Sequence, residues 1–330
     1  MIGTRSPIAL AEEQSATLVS HLPAVRDGQD VATHDARVLT RRLRETLAAA
    51  RHEFDHHAFE KISRIVKQAG RALGEARDHD VALELLKDLE AHAPTAATLF
   101  GPLHAATVAE QRRARRSLVK TLEELDVHSI ARIARDARRQ SKPWFRYAAV
   151  WRKHLREHVG SRGDALRAAM AHATGVYFPN RSHSARIAIK KLRYALEVAD
   201  ATGMWRSKRA GRVLRKAQNT LGRAHDCQVL IDRLRDASAS DAAISHLATD
   251  VAIPFLEAEI AIKYERYLSL REKLTAICDA CTRFARPRSA VPALVAAGVG
   301  IPSLLLFTRA PARRLAEPHA DVVRVAVDLP

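Results

Sequence analysis

Apolar residues recur every three or four positions along most of this chain, the spacing of an α-helix rather than the alternation of a strand. The pattern predicts a helix from Pro7 to Leu22, with Ser6 as its cap and Pro7 in its first position. Asp30 is placed to cap a second helix that runs to about Arg51, and a third covers about Ala58 to Ala91 before Pro94 and the Gly101-Pro102 pair break the pattern. A fourth spans about Leu103 to Leu125 and a fifth His128 to Gln140. Ser141-Lys142-Pro143 reads as a hinge, followed by a helix near Trp144 to His158, with Gly160-Ser161-Arg162-Gly163 opening the second half. The stretch with extended character is Val322 to Val327. The fold class expected is all-α.

The second half restates the first. Thr33 to Arg44 (THDARVLTRRLR) and Ser182 to Arg193 (SHSARIAIKKLR) align 149 residues apart, setting His34 on His183, Arg37 on Arg186, Arg41-Arg42 on Lys190-Lys191 and Arg44 on Arg193. With His34 at zero on a helical wheel, Arg37, Arg41 and Arg44 fall at about 300°, about 340° and about 280°, one ridge three turns long. Ala36, Leu39, Leu43 and Leu47 occupy the opposite side. In the second copy Ala185, Ala188, Leu192 and Leu196 take the apolar side, and Tyr194 joins the basic ridge. Downstream, Leu73-Gly-Glu-Ala-Arg-Asp78 aligns with Leu221-Gly-Arg-Ala-His-Asp226 at an offset of 148. At that offset Lys61, Arg64, Lys67 and Gln68 meet Arg209, Arg212, Arg215 and Lys216, a second basic stripe in each half, and Arg71 meets Asn219. Charge runs seldom repeat in register by chance, so duplication of one helical bundle is the economical reading.

Composition sharpens the picture. The 330 residues suffice for two cored units and carry a net charge of +17, and the 54 cations comprise 12 Lys and 42 Arg. Guanidinium forks match phosphate oxygens and never lose their charge. Gathering such ridges costs stability unless a polyanion relieves the repulsion, so the partner expected is nucleic acid, an anionic surface or a phosphate polymer. Three cysteines are too few and too odd in number for a disulfide framework, which points to a reducing compartment, and no secretory leader opens the sequence. Cys278-x-x-Cys281 lies in a helical pattern without the βαβ context of a redox motif. Val291 to Phe307 is apolar but short for a membrane span and interrupted by Pro and Gly, so no integral membrane insertion is expected. Beyond 285 periodicity fades, and 286–330 reads as a poorly ordered tail behind a 1–16 N-terminal segment and bundles at about 17–141 and 142–285.

The ordered motifs H-x-x-R-V-x-x-R-R-L-R, L-G-x-x-R-D-x-D-V, H-x-x-R-I-x-x-K-K-L-R-Y and L-G-x-x-x-D resemble the conserved histidine α-helical domain, CHAD, over about 17–285. The resemblance implies two four-helix bundles about a pseudo-twofold axis, with a basic central channel that binds inorganic polyphosphate. It also implies a cytoplasmic address that in some members is the polyphosphate granule. Here the second acidic motif departs from the first, with His225 for Arg77 and Gln228 for Asp80. No E-x-E-x-K triphosphate-tunnel signature is present: Glu257-Ala-Glu259 lacks the Lys.

The candidate polyanion contacts are therefore His34, Arg37, Arg41, Arg42, Arg44, Lys61, Arg64, Lys67 and Arg71, with Arg112, Arg115, Arg116 and Lys120 on a third helix. The second half supplies His183, Arg186, Lys190, Lys191, Arg193, Tyr194, Arg209, Arg212, Arg215 and Lys216. Asp78 and Asp226 are expected to orient a ridge Arg or His rather than act as acid or base. His52, His56 and His57 beside Asp55 have i, i+4 spacing but no defined further ligands, so no metal and no cofactor is expected. Without a Walker loop or an acidic magnesium cluster the reading is a binding protein and not an enzyme. The alternatives are a nucleic-acid binder, which ordinarily brings stacking aromatics or a groove-reading helix, and a histidine phosphotransfer or other phosphoryl-transfer protein. The sequence leaves the oligomeric state open.

Overall fold

The computed structural model describes residues 5–92, 100–140, 145–175, 177–238 and 248–286. Among them are ten α-helices and no strand. The first half comprises α1 (Pro7–Arg26), α2 (Asp30–Ala49), α3 (His56–His92), α4 (Gly101–Glu124) and α5 (His128–Gln140). The second comprises α6 (Phe145–His172), α7 (Pro179–Ala201), α8 (Lys208–Ser238), α9 (Ile253–Leu268) and α10 (Arg271–Ala285). None of these helices is long and apolar enough to cross a membrane. The Ser141 hinge, the apolar Val291 segment and the Val322 stretch lie outside the described residues.

Ser6 caps α1, its Oγ accepting from the Ala9 amide at 3.4 Å. The helix continues past Leu22 and through Pro23 to Arg26, because a proline one turn from the end removes a single ladder bond. Gly28, at φ +76°, then turns the chain. Asp30 is the first residue of α2 and not its cap, a position Gln29 fills without a side-chain bond; the Asp30 carboxylate accepts from Arg115 of α4 instead. Asp55, in contrast, caps α3 by accepting from the Ala58 amide at 2.8 Å. Because Ile8 and Ala11 are already in the core, the first bundle begins at Pro7 rather than near 17.

The two halves share one neighbour scheme. α1 packs on α2, α2 on α3, α3 on α4 and α5 back on α1; α6 on α7, α7 on α8, α8 on α9 and α10 back on α6 repeat it. Among the described residues each half thus has five helices, as the residue pattern predicts for the first. Leu18, Leu43, Leu47, Ile62, Leu73 and Leu122 fill the first core, and Leu155, Leu166, Ile189, Leu192, Leu214 and Leu274 the second. The halves meet through equivalent helices, α2 against α7 and α3 against α8. A third core of Leu85, Leu86 and Leu89 with Leu230, Ile231 and Leu234 seals the α3–α8 contact.

α6 departs most from expectation. Gly160 and Gly163 do not open the second half; the helix runs through both to His172. A Cβ at Gly163 would sit 2.8 Å from Cys281 Cβ, and one at Gly160 2.6 Å from Ala285 Cβ. These glycines let α10 approach α6 closely, and the Cys278-x-x-Cys281 spacing serves that packing: both thiols are buried, and burial pushes them up to about 11 and about 12. Gly163→Ala should therefore cost about 1–2 kcal/mol in denaturant melts, overpacking outweighing the gain in helix propensity. Gly222→Ala in α8, where a Cβ meets nothing within 4 Å, should instead stabilise by about 0.5–1 kcal/mol.

Candidate functional site

The α2–α7 contact carries the ridges into one place. On α2, Ala36, Leu43 and Leu47 are buried and Leu39 half-buried; on α7, Ala185, Ala188, Leu192 and Leu196 are buried. The opposite sides present Arg37 and Arg41 of α2 and Arg186 and Lys190 of α7, all half-buried. α3 and α8 supply the remaining walls. The result is a cavity of about 320 Å³ lined by Arg37, Arg41, Asp78, Val81, Ala82 and Leu85 from the first half, and by His183, Arg186, His225, Asp226, Val229 and Leu230 from the second. Its lining combines three guanidiniums, two imidazoles and two carboxylates with five apolar side chains.

Electrostatically the site is strained toward an anion. Arg37 Nη2 donates to Asp78 Oδ1 at 2.7 Å, the orienting role expected for that carboxylate. Asp226 lies beside Arg186, and burial raises its carboxyl above the usual range against the pull of that guanidinium. The Nε atoms of Arg37 and Arg186, equivalent in the repeat, are buried and have no hydrogen-bond partner among the described residues. Burial, then Arg37, lowers Arg41 to about 10. Burial, then Arg41, Arg186 and Arg37, lowers the Lys190 ammonium to about 7. His183 packs against His225 with ring centroids 4.8 Å apart and the rings tilted by 55°, and burial followed by Arg186 lowers both, His225 to about 4. Four cations thus share a partly desolvated space with two carboxylates, an arrangement that an oxyanion able to bridge several donors would relieve.

A pH dependence follows, with a definite sign. An anion held at Lys190 raises its proton affinity, so binding takes up a proton in the window above about 7, where the free amine is neutral. His183 and His225 act in the same direction at lower pH. Affinity for a polyanion whose own charge is constant should fall about tenfold between about pH 6 and about pH 8.5 in fluorescence titrations, and Lys190→Arg should flatten the slope.

The other predicted residues lie elsewhere. His34 is exposed and outside the cavity lining. Arg44, Arg64, Lys67, Arg71, Lys191, Arg209, Arg212, Arg215 and Lys216 are exposed, Lys61 is half-buried, and none of them lines the cavity. Arg42 donates to Glu197 of α7 at 3.0 Å. Arg193 and Tyr194 are not ridge residues: they are 8% and 3% exposed. Arg193 Nε donates to Gln218 at 2.9 Å and Nη1 to Glu197 at 2.5 Å, and its guanidinium stacks 4.1 Å from the Tyr194 ring centroid. The reason is that α7 is packed by α2, α6 and α8, which leaves it a narrower free face than a single wheel suggests.

The α4 cluster is likewise separate. Arg115 donates to Asp30, to Asp80 at 3.3 Å and to the Gly28 carbonyl at 3.5 Å. With Arg116 and Lys120 it lines a different cavity, beside Val25 and Thr33, while Arg112 is exposed. Asp80 also accepts from Gln111 at 2.6 Å, whereas its counterpart Gln228 donates to Asp232 at 3.1 Å, so that pairing is indeed confined to the first half. His225 is the lining residue that sequence reasoning passed over; the signal was its place next to Asp226 in the repeated motif. His52 stacks on His154 at 4.2 Å rather than grouping with the exposed His56 and His57.

The model of the CHAD domain matches residues 9–235, and the chain belongs to that family. The fold is similar to the crystal structure of the CHAD domain from the plant Ricinus communis, with a TM-score of 0.61 and 22% identity over 82% of this chain and 90% of that one. It is also similar to PptA from Streptomyces chartreusis, with a TM-score of 0.55 and 17% identity over 83% of this chain and 99% of that one. Among curated proteins none matches.

Proposed function

We propose that this protein binds inorganic polyphosphate in the cleft between its halves, without turning it over. What carries the reading is the convergence of Arg37, Arg41 and Arg186 on one cavity, with Lys190 within electrostatic reach of all three and the Nε donors of Arg37 and Arg186 unpartnered among the described residues. Phosphate oxygens accept from such donors, and a linear phosphate polymer places oxyanions close enough together to use several at once. The resemblance read from the sequence motifs implies the same ligand. The exposed stripes on α3 and α8 would add counterion-release affinity outside the cleft, which falls with salt. Of the two carboxylates, Asp78 is engaged by Arg37 and Asp226 is held toward its neutral form, a poor pair for clamping catalytic magnesium. A cytoplasmic location on polyphosphate granules accords with this reading.

Competition decides between polyphosphate and nucleic acid. Long-chain polyphosphate should displace labelled single-stranded DNA at equal phosphate concentration and salt; the reverse outcome would make this a nucleic-acid binder. Incubation with radiolabelled polyphosphate should release no phosphate and leave no acid-labile label on His183 or His225. Such label would install the phosphotransfer reading instead.

A further inference from the structure

We propose that the slot between the start of α8 and α10, beside Trp205, is a second ligand site, which takes an amphipathic anion: an acyl chain of about eight to ten carbons ending in a carboxylate. The site lies apart from the cleft, and the proposal does not depend on what the cleft binds.

The duplication supplies the first observation. At the 148-residue offset Phe59, Ile62 and Ile65 of α3 correspond to Ser207, Ala210 and Val213. In the first half Ile62 and Ile65 belong to the core and Phe59 packs against it. The second half carries much less bulk at these positions, and they line a cavity of about 310 Å³. Arg209, Ala210 and Val213 of α8 form one wall, and Lys273, Ala276 and Ala280 of α10 the other.

The donors of the slot are the second observation. Arg209 and Lys273, exposed and one on each wall, form no ion pair among the described residues. Trp205 belongs to the same lining and is held firmly: its amide donates to the Ala199 carbonyl at 3.0 Å, and its ring meets Phe284 of α10 edge-on, 5.3 Å between centroids. Its indole nitrogen is buried without an acceptor among the described residues, where a buried Trp ordinarily has one.

These features select the ligand class. A chain charged along its whole length would lose hydration over the Ala and Val surface without gaining donors there. An acyl chain would cover that surface while its carboxylate met Arg209 and Lys273. At about 30 Å³ for each water-sized group, the cavity holds about ten such groups, which sets the chain length.

The test titrates the full chain with decanoate, below its micelle concentration, by isothermal calorimetry, and a saturable site should appear. Affinity should rise about two- to fourfold per methylene from hexanoate to decanoate. Decanol, which lacks the charge, should bind at least about tenfold more weakly. Ala210→Ile, which restores the residue of the first half, should fill the slot and weaken decanoate at least about tenfold, and Lys273→Glu, at an exposed position, should do the same by reversing a wall charge. Lys87→Glu, the same change of net charge at an exposed position of α3, should leave affinity within about twofold. No saturable site, unchanged affinity in folded Ala210→Ile, decanol binding as tightly as decanoate, or equal losses from Lys273→Glu and Lys87→Glu would each overturn the proposal. So would dimerisation in sedimentation velocity that Ala210→Ile abolishes, since a second copy would then cover the slot.

Discussion

Arg41→Ala combined with Lys190→Ala should raise the dissociation constant for long-chain polyphosphate about a hundredfold or more in titrations at fixed salt. Each cation lost from a desolvated cleft removes a charge-assisted hydrogen bond of about 1.5–3 kcal/mol, and every 1.4 kcal/mol is tenfold. Arg313→Ala with Arg314→Ala, two cations outside the described residues, should change it by less than about threefold if they contribute only to total charge, which acts through a salt-screened field. Equal losses from the two pairs would mean that total charge, and not the cleft, holds the ligand. The free protein should behave the opposite way. Lys190 is protonated less readily folded than unfolded, so its charge opposes folding fully below about pH 7, and this cost fades as pH rises from about 7 toward its ordinary value of 10.5. Lys190→Met should therefore raise the melting temperature at pH 7 while weakening binding.

The second large effect concerns how the halves are held together. Glu45 of α2, 7% exposed, accepts from Arg162 of α6 at 2.9 and 3.3 Å, and His158 Nε2 lies 3.1 Å away. Burial raises its carboxyl, but the bonds from His158 and Arg162 prevail and hold it below the ordinary range. Glu45→Ala would strand both partners. Removing one member of a buried pair costs about 3–5 kcal/mol, and since Arg162 is 24% exposed a loss of about 2–4 kcal/mol is expected. In thermal melts at pH 7 that should appear as a drop of about 5–10 °C. Because a depressed carboxyl stabilises above its unfolded value and loses that contribution as pH falls through the folded one, the gap between wild type and variant should narrow in acid. Asp279→Ala, which breaks an exposed pair with Arg167, should cost well under about 1 kcal/mol.

Much of this was legible in the residues, for identifiable reasons. A 3.6-residue period fixes which side of a helix is buried, so Leu43, Leu47, Leu192 and Leu196 fall in the core as predicted. The pairing of ridges was readable because duplication repeats them, and Arg37, Arg41, Arg186 and Lys190 do come together. What periodicity cannot convey is how many neighbours a helix has. α7 is packed on three sides, so Arg193 and Tyr194 go inside, bonded and stacked, despite their ridge-like spacing. Arg115 of α4 turns toward Asp30 and Asp80, partners remote in sequence that no helical wheel displays. Gly160 and Gly163 misled because the same residue serves as helix breaker and as close-packing surface, and the difference lies in Cys281 and Ala285, well over a hundred residues on. His225 joins the site through the meeting of α8 with α7, which no single helix displays.

The most direct test of the cleft is a structure of the protein with a short linear polyphosphate. Phosphate oxygens are expected within hydrogen-bonding distance, about 2.7–3.1 Å, of the Nε atoms of Arg37 and Arg186, with Lys190 Nζ on the same phosphate chain. Phosphates ordered along the outer stripes of α3 and α8, with those Nε atoms still unpartnered, would contradict it.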